Sequence, residues 1–191
     1  MSLHNHFAPI SAATLPNGLA LRQFTVEDAE LLFALIDRDR SHLRRWLPWV
    51  DLTLAPNNAR NFIVMSLEQA RNHNGFQCAI VDEERILGTV GLHSVDWPNR
   101  KTSLGYWLSS AATGRGAMTA AVRYVVSHCF DVLKLHRVEI RCAVHNSKSR
   151  AIPVRLGFIE EGVLHESEWL GDHFVDHVVY AMLAPAWRKI I

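Results

Sequence analysis

Residues 109–126, SSAATGRGAMTAAVRYVV, put Gly114 and Gly116 behind a strand-like segment and ahead of an amphipathic run. The chain must therefore leave a sheet, bend through two residues that tolerate tight backbone, and start a helix. Unpaired N–H groups and the positive end of a helix dipole make such a corner an anion site. It is not a P-loop, because no Gly-Lys-Ser/Thr follows and the glycines stand too close. Nor is it a dinucleotide fingerprint: the third glycine is missing, and the preceding strand belongs to a meander. Two readings stay open at this point, a plain strand-to-helix connection and a loop that wraps a pyrophosphate, with Arg115 adding charge.

The rest of the chain supplies the surroundings. LALRQF (19–24) has strand composition, and Thr25 with Asp28 forms a capping-box pattern before helical spacing over 25–40. A short helix is expected over 41–50, stopped near Pro48, and a third helix over 57–72. Residues 76–82, 85–97 and 102–109 read as a meander of three strands. Helical spacing runs from Ala117 to Leu135, a half-buried strand covers 137–145, and a short helix spans about Ser147 to Leu156. A last hairpin turns at Gly171-Asp172. One mixed sheet with helices on its faces is the economical arrangement.

A chain of 191 residues suits one domain, 1–191, with 1–18 as an N-terminal extension in which His4-Asn5-His6 is a terminal segment. A net charge of +1 gives no basic footprint for nucleic acid. Three widely spaced cysteines, Cys78, Cys129 and Cys142, suit reduced thiols. No apolar run reaches membrane-spanning length, so a soluble cytoplasmic protein is expected. His173 and His177 sit four apart on one strand face, about 13 Å from each other, too far to share a metal ion. No metal is expected.

The segment ATGRGAMTAA resembles the pyrophosphate loop of the GCN5-related N-acetyltransferases (GNAT), with Gly114 and Gly116 in register and Ala111 where the family often has Arg or Gln. VHNSKSRAIPVRLGF (144–158) resembles the family's strand-Asn-x-x-Ser-helix-Gly-Phe segment. LRQFTVEDAELLFALI, WLPWV and LGYWL look like the branch of ribosomal-protein acetyltransferases of the RimJ/RimL type, and the likeness covers about 19–184. It implies an α/β (α+β) GNAT fold: a single mixed, mostly antiparallel sheet, splayed at a cofactor cleft, with helices on both faces.

It also implies direct acetyl transfer from acetyl-CoA to an amine, with the cofactor held by Leu108, Ser109, Gly114, Arg115, Gly116, Ala117, Met118, Thr119, Asn146 and Ser149. The N–H near Leu108 would polarise the thioester carbonyl. The family's usual tyrosine acid falls on Pro153, which cannot serve; the RimL-like branch uses a serine, here Ser149, although Asn146, Ser147 or Ser149 also suits a helix cap. The branch's base maps to Glu168, with Glu166, two residues away on the same face of an extended strand, as competitor. Cys142 faces the cleft, but buried packing suits it better than covalent catalysis. Trp46, Trp49 and Trp169 are expected near the acceptor.

The acceptor implied by the resemblance is a protein N-terminus, that of a ribosomal protein. A small amine such as a polyamine or antibiotic is the alternative, and Glu166, Glu168, Asp172 and Asp176 could line a cleft for a polycation. A non-catalytic acyl-CoA sensor is a third reading. Relatives of this branch often pair, so a homodimer is expected.

Overall fold

A computed structural model describes residues 7–16 and 18–190. Its strands are β1 (Ala12–Thr14), β2 (Ala20–Gln23), β3 (Gln77–Asp82), β4 (Arg85–Asp96), β5 (Lys101–Leu108), β6 (Arg137–Ala143), β7 (Ile159–Leu170) and β8 (His173–Leu183). The helices are α1 (Ala29–Arg38), α2 (Arg40–Leu43), α3 (Pro56–Arg71), α4 (Ala117–Asp131), α5 (Ser147–Arg155) and α6 (Ala184–Trp187). The strands form one sheet in the order β1-β2-β3-β4-β5-β6-β8-β7, antiparallel throughout except between β5 and β6.

Alternation along the strands divides the core in two. Cys78, Ile80, Val90, Leu104, Ile140, Cys142, Val178 and Tyr180 point to one face, where Ala121, Val122, Val125, Val126 and Cys129 of α4 and Ile152 and Leu156 near α5 bury against them. Ala79, Val81 and Trp107 point to the other, under Leu32, Leu35 and Ile36 of α1 and Ala59 and Ile63 of α3. That second helical layer is packed on β3 and β4. Over β6 the same face instead carries charge: Arg137 and Arg141 both bind Glu139, and Arg137 also pairs with Glu161.

Two expectations change. The described part of the extension, from residue 7 on, packs into the domain: β1 pairs with β2, Ile10 and Leu15 are buried, and Phe7 stacks on His73 and meets Trp97 edge-on. His4-Asn5-His6 lies outside the described residues. The expected helix over 41–50 is two pieces, α2 and a 3₁₀ turn at Pro48–Leu52, because Pro48 has no N–H to continue a helix. Arg40 ties the second piece down by donating to the Val50 and Thr53 carbonyls at 2.5 and 2.7 Å.

Candidate active site

The parallel pair β5–β6 is joined over Lys101–Leu104 and Arg137–Ile140 and then parts. Beyond Leu104, β5 stays on β4 up to Leu108, while β6 stays on β8 up to Ala143. The sheet is thus split down its middle, and a cavity of about 950 Å³ opens at the split, lined by Tyr106, Trp107 and Leu108 from β5 and by residues of α2, α4 and α5. The Ser109 N–H donates to the Leu87 carbonyl on β4 at 2.8 Å. Since ladder bonds alternate sides along a strand, the Leu108 N–H is turned the other way, into the split.

The Gly114-Arg115-Gly116 corner closes one end of the cavity, with Gly114, Gly116, Ala117, Met118 and Thr119 all on its wall. Both glycines are left-handed, at φ +82° and +76°, and a Cβ built on either meets no atom within 4 Å. The glycines therefore serve backbone conformation and leave free space beside it. Replacing Gly116 by Ala is expected to cost roughly 1–2 kcal/mol of stability from the left-handed backbone alone. Gly116→Ser should cost the same in thermal unfolding, since nothing crowds either side chain. Arg123, Lys148 and Arg155 add positive charge to the wall, and Arg155 donates to Thr119 Oγ1 at 2.8 Å, tying α5 to the first turn of α4. Open backbone at a helix start, three cations and this volume fit an extended anionic ligand of the size of acetyl-CoA.

Ser149 sits at the opposite wall. The Asn146 side chain caps α5 by accepting the Ser149 N–H at 3.1 Å, so the capping role belongs to Asn146 and the Ser149 hydroxyl is left over. That hydroxyl donates to the Tyr106 hydroxyl at 3.3 Å and lies 3.2 Å from Cys142 Sγ. Tyr106 in turn donates to the Ser149 carbonyl at 3.0 Å. Within an α-helix that carbonyl would accept from the residue four positions on, which is Pro153 and has no N–H to give. Pro153 thus frees the carbonyl that anchors Tyr106. Burial, then the facing Cys142, raises the Tyr106 pKa well above its ordinary value, so the phenol stays protonated. Burial also raises Cys142, against its bonds from Ser149 and Tyr106, so the thiol is a poor nucleophile.

On the other face of the sheet, Glu168 and His177 meet. Glu168 pairs with Val175, and His177 with Ala143 and Leu164, in backbone register. Glu168 Oε2 and His177 Nε2 are 3.2 Å apart. Between Leu164 and Glu168 strand β7 bulges, carrying three residues against Asp176 alone on β8. Asp176 fixes the bulge by accepting the Glu166 N–H at 2.8 Å and by binding His165 Nδ1 at 2.9 Å. Glu166 has φ +47° within this bulge and is exposed, so the extended-strand alternation expected to set it beside Glu168 is interrupted there.

The remaining expected residues scatter. Trp46 lines the cavity; Trp49 packs 5.9 Å from the Trp107 ring behind the wall. Trp169 is half-exposed on the β7–β8 hairpin, edge-to-face with Phe174, away from the cavity lining. Ser109 is buried just after β5 and Arg115 is exposed, both outside the lining. The reading of the sequence missed Tyr106, whose strand parity alone opposes it to Trp107, and the cations of α4 and α5. It also missed Asp39 at the α1–α2 corner, which accepts from the Ser110 N–H at 2.5 Å and the Ser110 hydroxyl at 2.6 Å and so fixes the turn after β5. No sequence signal pairs positions that far apart. Among the described residues no cluster of three or more potential metal ligands occurs, and no helix is long and apolar enough to cross a membrane.

Comparison with known proteins places this geometry. The model of the acetyltransferase (GNAT) domain matches residues 19–159. Bacillus subtilis YdaF, named provisionally as a ribosomal N-acetyltransferase, is 33% identical over 89% of this chain and 93% of its own. The ribosomal-protein-serine acetyltransferase of Escherichia coli is 26% identical over 80% of this chain and 85% of its own. The self-immunity acetyltransferase MccE, solved with acetyl-CoA and AMP, superimposes with a TM-score of 0.83 at 27% identity, over 86% of this chain and 92% of that one.

Proposed function

This chain belongs to the GNAT family, among its RimJ/RimL-type acetyl-CoA-dependent N-acetyltransferases, and on that premise we propose that it acetylates the N-terminal α-amino group of a ribosomal protein. The observation that carries the reading is the split between β5 and β6, with the Ser149–Tyr106 hydroxyls beside it on one face of the sheet and the Glu168 carboxylate, on β7, on the other face.

Each residue's part follows from what the transfer demands. The thioester carbonyl gains negative charge as the amine adds, and the Leu108 N–H, turned into the split, meets it. The sulfur leaves as a thiolate, and Ser149, backed by Tyr106, gives it a proton. The amine must arrive neutral; an α-amino group near pKa ~8 needs less help than a lysine near ~10, and Glu168 takes the proton. Trp46, on the cavity wall, flanks the acceptor's approach; Trp49 backs Trp107 behind that wall, and Trp169 lies on the hairpin away from it. Gly114, Gly116, Ala117, Met118, Thr119 and Asn146, all on the cavity wall, hold the cofactor in register, so that both reactants meet without a bimolecular search.

The branch relatives named for ribosomal proteins support the acceptor. A polycation cleft is less well supported, because Asp172 and Asp176 are engaged within their own hairpin, with His173 and with His165 and the Glu166 N–H. The same reading expects the cytoplasm and a homodimer, for which exposed Ile159, Val163 and Leu164 on edge strand β7 offer a surface. The test is acetyl-CoA-dependent thiol release with product masses, over peptides with free Ser, Ala or Asp N-termini, their blocked lysine-containing forms, spermidine and an aminoglycoside. Acetylation confined to free N-termini is expected. Turnover only with the small amines would replace the proposed acceptor.

A further inference from the structure

Among the described residues two buried side-chain polar atoms lack any hydrogen-bond partner, Thr89 Oγ1 and His177 Nε2. His177 Nε2 is 3.2 Å from the Glu168 carboxylate, yet the contact is not aligned as a hydrogen bond. A buried polar atom left without a partner has a desolvation cost, and a native protein retains one where a ligand or water completes it.

Register says what can reach it. Ala143 pairs with His177, and Cys142 pairs with Val178. Cys142 and Val178 belong to the core under α4 and α5, so His177 points to the opposite face of the sheet. Trp107, on β5, points to that same face and packs with Trp49. On that face Trp107 stands on the β5 lip, and His177 on β8 with Glu168 on β7 lies behind Ala143 of the β6 lip, across the sheet from the Ser149–Tyr106 pair.

We propose that His177 Nε2 is the second contact of the acceptor amine: it accepts a hydrogen bond from the amine while Glu168 takes the amine's proton, so that the nitrogen is held by two acceptors and one lone pair is left for the carbonyl carbon. This rests on the reading of Glu168 as base, and it makes the site specific for an amine with at least two N–H bonds. The proton removed stays on the Glu168 carboxylate until it exchanges with water; His177 holds position and is not consumed.

The test uses the full chain with an acceptor peptide and measures steady-state kinetics, acetyl-CoA affinity by calorimetry and thermal unfolding. His177→Asn, which has no acceptor at the Nε2 position, is expected to lower kcat/KM for the peptide by 10- to 100-fold, with acetyl-CoA affinity unchanged. His177→Gln, whose amide oxygen reaches that position, should keep activity within about fivefold. His177→Ala should regain peptide turnover with millimolar imidazole, a readout that a packing role would not move. His177→Asn added to Glu168→Gln should cost less than it does alone. Equal peptide kcat/KM in wild type and His177→Asn, or losses equal in Asn and Gln variants without imidazole rescue, would overturn the proposal while leaving Glu168 as base. Full activity of Glu168→Gln would instead remove the base reading, and a selective loss in His177→Asn would still stand as an acceptor contact.

Discussion

Glu168→Gln lowers kcat by about 10²-fold or more, the usual size of a lost general base, and leaves acetyl-CoA affinity unaltered. The reason is separation. The cofactor wall is built from β5, α4 and α5, whereas Glu168 lies on β7 and touches the opposite sheet face through His177. The amide keeps the volume of the carboxylate, and the Glu168 side chain is about one-third exposed, so folding should not suffer. What the amide cannot do is take a proton. The deficit should therefore shrink as pH rises toward and past ~8, where a free α-amino group loses its proton unaided. A lysine-directed site would need a higher pH for the same recovery. A Glu168→Gln enzyme with wild-type kcat at neutral pH would eliminate Glu168 as the base, and with Glu166 exposed in the bulge, attention would move to water as the direct acceptor.

How far the sequence reached depended on the distance over which each constraint acts. The Gly-Arg-Gly corner was legible because its two demands, left-handed backbone and a following helix, are local. The meander and last hairpin were legible because period-two alternation and a Gly171 turn are also local. The bulge in β7 was not: it depends on Asp176, ten residues beyond Glu166, offering its carboxylate to the Glu166 N–H. Alternation alone therefore put Glu166 beside Glu168. The Asn146–Ser149 division of labour was half legible, since both residue types can cap and only the 3.1 Å bond says which one does. Tyr106 was read as part of a strand that resembles the family, and its bond to a residue 43 positions away has no counterpart in spacing. The N-terminal segment looked like an appendage because Phe7 and Ile10 find their partners only in the folded sheet.

Ser149→Ala should lower kcat by about 10²-fold without the loss of stability that Asn146→Ala brings, on the order of 1 kcal/mol for a lost cap. The Ser149 hydroxyl makes no cap; it contacts only the Tyr106 hydroxyl and Cys142 Sγ among the bonds of α5's first turn. Tyr106→Phe should cost roughly tenfold, because Ser149 keeps its proton but loses the group that orients it. The double variant should be little worse than Ser149→Ala, as expected for two residues acting as one unit. Pro153→Ala sharpens the case. It restores an N–H that competes for the Ser149 carbonyl, so it should resemble Tyr106→Phe in kcat while improving α5 as a helix. Cys142→Ala should retain kcat within about threefold, since a thiol kept protonated by burial forms no acyl-enzyme. Should Ser149→Ala retain full turnover while Tyr106→Phe loses it, the acid would be Tyr106 itself, released from the Ser149 carbonyl to reach the sulfur. Pro153 would then matter for holding a phenol at the place where the family's usual tyrosine is missing.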